Sequence, residues 1–247
     1  YFLRIRMKNF DILKQEYLDI LSELDESFFN EGNKNNKKDE GLSGLFLASE
    51  PENYWMAKNK IMIVGAETRG WNVKLTQEYS LEHYLLSSIE KNKCFFQKMM
   101  NEPRTRKITF HDFTRAVADK SGYDGLLYSN LFCFAWNEKS PIKTKYFDQI
   151  KNTSFKLLNA QIEYFEPEVI IFANGSQNTI YRRELFDPKL YSEGQDYSDE
   201  DISKNQLYKF LFADKYLCYR IQHPSTIRGK KLAISARKKL IELLPSA

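Results

Sequence analysis

Four short apolar runs, each far from the next, limit what this chain can fold into more than any other feature. They are Lys60-Ile-Met-Ile-Val-Gly65, Leu126-Leu-Tyr-Ser-Asn-Leu-Phe-Cys-Phe134, Val169-Ile-Ile-Phe-Ala-Asn-Gly175 and Tyr216-Leu-Cys-Tyr-Arg-Ile221. A run that is apolar at successive positions suits a strand covered on both faces. Apolar residues at helical spacing occupy 8–30, 77–91, 105–120 and 146–165, the last of these stopped by Pro167, and 232–244 closes the chain. Parallel strands need long crossovers of this kind, so the pattern predicts an α/β fold. The expected architecture is a three-layer α/β/α domain over 60–247 with a central four-stranded parallel sheet. An N-terminal helical extension over 1–59 would pack on it. The polar 31–41 reads as a loop, and 187–201 as a loop or insertion whose six acids and one lysine would repel phosphate locally.

Composition removes several function classes. A chain of 247 residues with 42% apolar and 15% aromatic side chains buries a real core and is not a disordered tail. No apolar run reaches the ~20 residues of a membrane helix, and none has the makeup of a secretory segment, so no membrane partner is expected. The cysteines, Cys94, Cys133 and Cys218, are odd in number, far apart and without a C-x-x-C pair. Zinc knuckles and four-thiolate iron–sulfur clusters are therefore unsupported. With His83, His111 and His223 equally scattered, no metal and no cofactor is expected. A reducing, cytoplasmic compartment and a monomeric state are. The net charge of +4 permits a nucleic-acid partner without requiring one.

In parallel sheets, ligands bind outside the carboxyl ends of the strands. The first run leads into Gly65-Ala-Glu67-Thr-Arg69-Gly70-Trp71, which is neither a P-loop nor a G-x-G-x-x-G turn, so a nucleotide cofactor is not expected. Glu67 and Arg69 either pair with each other in a strand-to-helix turn or present their charges to a ligand. Asn130 sits among Leu127, Tyr128, Leu131 and Phe132, where an amide with four hydrogen-bonding positions needs partners. A neighbouring loop or the edge of an extruded base would serve. The last run leads into Gln222-His223-Pro224-Ser225, where Pro224 fixes the direction of His223. That imidazole is either structural or a donor to an oxygen gaining negative charge. Beside it, Arg228, Lys230 and Lys231 suit phosphates, while Arg237 to Lys239 read as a solvated helix face.

Taken in order, I-M-I-V-G-A-E-T-R-G-W, Y-S-N-L-F-C-F and R-I-Q-H-P-S-T resemble the motifs of the uracil-DNA glycosylase superfamily. E-P-E-V-I-I-F-A-N-G fits the family's third strand, and the likeness spans about Lys60 to Leu244 as a pattern. The resemblance implies a monofunctional DNA glycosylase that flips out a pyrimidine, hydrolyses its N-glycosidic bond and leaves an abasic site. By position, Glu67 matches the carboxylate that orients water and stabilises the cationic sugar. Asn130 matches the amide that reads the base edge, and His223 the imidazole bonded to the base O2. Ser225, Arg228, Lys230 and Lys231 match the loop pressing on DNA. Trp71 is a candidate stacking platform, with Phe132 and Tyr79 as competitors.

Departures from the family pattern narrow the match. The iron–sulfur branch's cysteines are absent. Arg69 stands where the plain uracil-excising branch has a Tyr that walls off C5 and rejects thymine. A five-donor cation there suits a polar C5 substituent, as in hydroxymethylated or glucosylated cytosine of phage DNA. A host would use such excision against modified foreign DNA. Three other readings stand beside it: ordinary uracil excision in repair, a base-binding module of the same fold without catalysis, and a hydrolase of small nucleotides.

Overall fold

Each apolar run contains a strand in the computed structural model, which describes residues 8–24, 28, 42, 44–68, 71, 80–103, 109–199, 201–226 and 230–247. The polar stretch 31–41, Arg69, Tyr79 and Arg228 lie outside the described residues. Strand β1 (Ile61–Gly65) and strand β3 (Val169–Phe172) are buried at every position, as strands covered on both faces must be. Strand β2 (Leu126–Asn130) ends at Asn130, so this amide terminates the strand rather than sitting within it. Strand β6 (Tyr216–Ile221) is the fourth run. β1 pairs parallel with β3, Ile61 opposite Val169, and β3 pairs parallel with β6, Val169 opposite Leu217.

The fold is mixed α/β. The sheet is wider than expected, with six strands in the order β2-β1-β3-β6-β5-β4. Strand β4 (Tyr191–Asp196) and strand β5 (Leu207–Phe212) form an antiparallel hairpin that continues the sheet from β6. The expectation of four strands is thus corrected, and 187–201, expected as a loop or insertion, contains strand β4. β5 buries only Leu207 and Phe210, and β4 buries nothing, so neither gives a continuous apolar run. Pairing rather than burial makes them strands. β4 is an edge protected by charge and by a bulge between Ser192 and Gln195.

Among the described residues, six helices of seven residues or more carry the crossovers and ends. Helix α1 (Phe10–Ser22) is capped by the Asn9 side chain and buries Leu13, Tyr17 and Leu21 along one face. α2 (Leu81–Asn101) and α3 (Thr109–Ser121) lie between β1 and β2. α4 (Phe147–Phe165) leads to β3 and ends as Glu166 turns left-handed before Pro167. The seven-residue α5 (Thr179–Leu185) follows β3, and α6 (Lys230–Leu243) follows β6.

The chain divides into two compact units. One comprises Tyr1–Ser49, Ala66–Phe95 and Ser129–Glu166; the other comprises Glu50–Gly65, Phe96–Tyr128 and Pro167–Ala247. In the first, α1 packs on α4, and Lys8 ties the two by donating to the carbonyls of Glu163 and Tyr164. In the second, α6 packs on β6, β5 and α3. The strand order reverses between β1 and β3, whose ends lead to Ala66-Glu67 and to Asn174-Gly175.

Candidate functional site

In the first unit, pairing outlasts the strands by one bond, because Phe132 N–H donates to Ala66 O at 2.9 Å. This brings the segment Ala66-Glu67-Thr68 beside the end of β2. Asn130, 4% exposed, donates through Nδ2 to the Thr68 hydroxyl. Its Oδ1 is buried with no hydrogen-bond partner among the described residues. Leaving a buried acceptor unmatched costs about 1–3 kcal/mol. Its neighbour Ser129, by contrast, donates to Gln161 Oε1 at 2.6 Å and is satisfied. Asn130 is therefore held by one bond and offers one acceptor. Glu67, two residues beyond β1, is half-buried with Oε2 shielded from solvent.

Trp71 is placed differently from the expectation. It is 4% exposed; Phe46 and Phe95 meet its ring edge-on at 4.9 and 5.5 Å, and Lys91 Nζ lies 4.8 Å from its centroid. Those neighbours make it a core residue and leave it no open face for stacking. Phe132 is likewise buried, against Phe147 at 5.6 Å. Both aromatics flank motif residues in sequence, but burial decided their orientation.

In the second unit, β6 delivers His223 into a turn closed by Thr226 N–H donating to His223 O at 2.8 Å. Nδ1 of His223 accepts from Ser225 N–H at 3.1 Å. A neutral ring that accepts at Nδ1 carries its hydrogen on Nε2, which is then a donor. Phe110 of α3 lies against the ring, with centroids 5.5 Å apart and planes tilted by 32°. Across from it stands Gly175, at φ +78°, where a Cβ would come within 3.3 Å of His223 Cβ. Arg237 of α6 donates to Pro224 O at 3.1 Å and is partly buried, which pulls its guanidinium below the usual range. The reading of Arg237 as solvated is corrected: it pins the His223 turn. Ser225 and Lys231 are exposed, Ser225 in the turn itself and Lys231 in the first turn of α6; Lys230 opens that helix.

Sequence reasoning missed Asn174, two residues beyond β3. It is 1% exposed, and neither Oδ1 nor Nδ2 has a hydrogen-bond partner among the described residues. Asn178 donates to its main-chain carbonyl at 2.7 Å, so the backbone there is fixed while the side chain is not. The strand-end rule points here as well, but the residue before the glycine carries the amide, not those after it.

The remaining reactive groups have ordinary environments. Burial pushes the Cys133 thiol up to about 12 and raises Cys218 as well, so neither is a nucleophile at neutral pH. Among the described residues, no group of three or more His, Cys, Asp or Glu is placed to hold a metal ion. No described helix is long and apolar enough to cross a membrane. Compared with known proteins, the chain matches no family model and no curated sequence.

Proposed function

We propose that this chain is a DNA glycosylase that releases an extruded pyrimidine, with a 5-substituted cytosine preferred over plain uracil. The observation that supports this reading most is the Asn130 amide, fixed through Nδ2 by Thr68 and leaving a buried acceptor at Oδ1. A lone acceptor at a strand's carboxyl end suits an N–H on a base edge, whether cytosine N4–H or uracil N3–H. The preference for a C5 substituent comes from the sequence, through Arg69 in place of an apolar wall. Acting on DNA, the enzyme would work in the cytoplasm.

In this mechanism a water oxygen bonds to the sugar C1′ as the bond from C1′ to the base nitrogen breaks. The electron pair leaves with the base, and a proton from the water ends on the released base. Glu67 orients that water and stabilises the cationic sugar. His223, donating from Nε2, stabilises negative charge on the base O2. Extrusion costs a few kcal/mol, which contacts to the flanking phosphates offset.

The test uses matched duplexes carrying uracil, cytosine, 5-hydroxymethylcytosine or its glucosylated form, followed by cleavage at abasic sites. Release of a 5-substituted base above uracil is the expected result, and Glu67→Gln should abolish it. Efficient release of uracil alone would leave an ordinary repair enzyme. Tight binding with no abasic sites would leave a base-binding module.

A further inference from the structure

The second unit also has an open cleft of about 650 Å3 walled by α5 and strands β4, β5 and β6. Three guanidinium groups line it: Arg182 and Arg183 from α5, and Arg220 from β6. Arg182 is 3% exposed. Its Nη1 donates to the Tyr191 hydroxyl at 2.8 Å, its Cζ lies 5.5 Å from the Phe172 centroid, and its Nε is buried without a hydrogen-bond partner among the described residues. Arg220 donates to Asn205 O at 2.7 Å and lies 5.8 Å from the Tyr208 ring centroid.

Buried guanidinium groups are ordinarily paired with carboxylates. Two carboxylates are at hand. Glu193 lines the cleft from the exposed edge strand, and Asp196 accepts from Asn205 N–H at 2.9 Å. Among the described residues neither forms an ion pair with any of the three arginines. Burial lowers Arg182 and Arg220, and the charge on Arg182 lowers Arg220 further, while Asp196 opposes it. Like charges held together in partial burial are costly unless an anion shares the site.

The walls are shaped as well as charged. A Cβ at Gly194 would come within 2.3 Å of the Tyr208 hydroxyl, so only glycine lets this phenol lie flush on β4. The planar forks of arginine match phosphate oxygens. A volume of this order accommodates a nucleotide-sized group. Gln222, another lining residue, directly precedes His223 in the chain.

We propose that this cleft binds phosphate groups of a polynucleotide strand, with Arg182, Arg183 and Arg220 as the anion-binding groups. The proposal rests on the reading of the chain as a DNA-acting enzyme. It names the hairpin absent from the expected four-stranded sheet as the element that carries the strand flanking the target base. Glu193, one of the acids of 187–201 read from sequence as repelling phosphate, then lines a cleft whose cationic groups come from α5 and β6.

The test measures binding of the full chain to a labelled, unmodified single-stranded oligonucleotide across a salt series. Arg183→Gln and Arg220→Gln are compared singly and together, with unfolding midpoints as a control. Each is expected to weaken binding on the order of tenfold and to reduce the slope of log K against log salt by about 1. A 5′-mononucleotide should compete only weakly. Unchanged affinity and slope in a folded double variant would overturn the proposal. So would arginine-dependent binding of the mononucleotide without binding of the oligonucleotide, which would assign the cleft to a free nucleotide. Base release by the wild type is assayed separately. Excision that survives in a double variant with unaltered binding removes this site and keeps the glycosylase. Arginine-dependent binding without any excision keeps the site and removes the glycosylase.

Discussion

Buried amides are costly unless something reaches them, and among the described residues Asn130 and Asn174 are buried at the carboxyl ends of strands. Asn130 keeps one bond, to Thr68, and Asn174 keeps none through its side chain among the described residues. Replacing Asn130 with Leu removes an unmatched acceptor but also strips the half-buried Thr68 hydroxyl of its donor, so stability should fall by about 1 kcal/mol. Excision should fall by at least ~10², since the base then meets a surface without an acceptor. Single-turnover excision and a urea midpoint, measured together, check this; loss of stability without loss of excision would make Asn130 structural. Glu67→Gln and His223→Ala should each lower excision by ~10² or more while oligonucleotide binding persists, because each acts on charge formed only in the transition state. A fully active double variant would remove both from the mechanism. The placement of Glu67 and His223 just beyond strands was legible in the sequence because Gly65 and Pro224 mark the ends of apolar runs. Arg237 was not, because a guanidinium reaching back thirteen residues to Pro224 O carries the same local pattern as one in water.

Among elements, a strand's legibility followed its burial. β1 and β3 are enclosed at every position and stand out as apolar runs, while β4 and β5 owe their form to pairing at the sheet's edge. A purely local reading therefore finds the buried strands of such a sheet, β2 at one margin included, and misses the exposed hairpin at the other. Helix ends were less sharply legible: α1 stops at Ser22, Phe28 is again helical, and the remaining residues from 25 to 30 lie outside the described residues. The segment joining β3 to α5 shows how two elements meet at the His223 turn. Gly175 holds φ at +78°, and its missing Cβ makes room for His223. Gly175→Ala should cost about 1–2 kcal/mol from the left-handed backbone alone. It should also displace the imidazole, so excision should fall by more than the loss of folded protein explains. Thermal unfolding alongside excision at a temperature where the variant is fully folded separates the two effects. Normal excision by the folded variant would detach Gly175 from His223.

On the scale of the whole molecule, the net charge of +4 says little, whereas its placement says more. The cationic cleft at α5, β4, β5 and β6 was illegible because its arginines come from distant parts of the sequence and lie next to a run of acids. Burial of ionisable groups across the chain has a consequence of its own. Cys133 is pushed from 9.0 to about 12 by burial, and Cys218, Tyr17 and Tyr84 are raised for the same reason. In each case the folded state holds its proton more tightly than the unfolded chain does. Stability from these groups is complete below the unfolded value and declines as pH rises through it, because the unfolded chain then releases protons that the folded one keeps. The urea midpoint should accordingly be flat near pH 8 and drop steadily from pH 9 upward. Cys133→Ala should make that drop shallower, at the cost of a small cavity. Thiol labelling follows the same order. At pH 8 the exposed Cys94 should react while Cys133 and Cys218 stay protected until denaturant is added. Rapid labelling of all three thiols in the native protein, or a midpoint unchanged between pH 8 and pH 10.5, would show that these side chains are not enclosed.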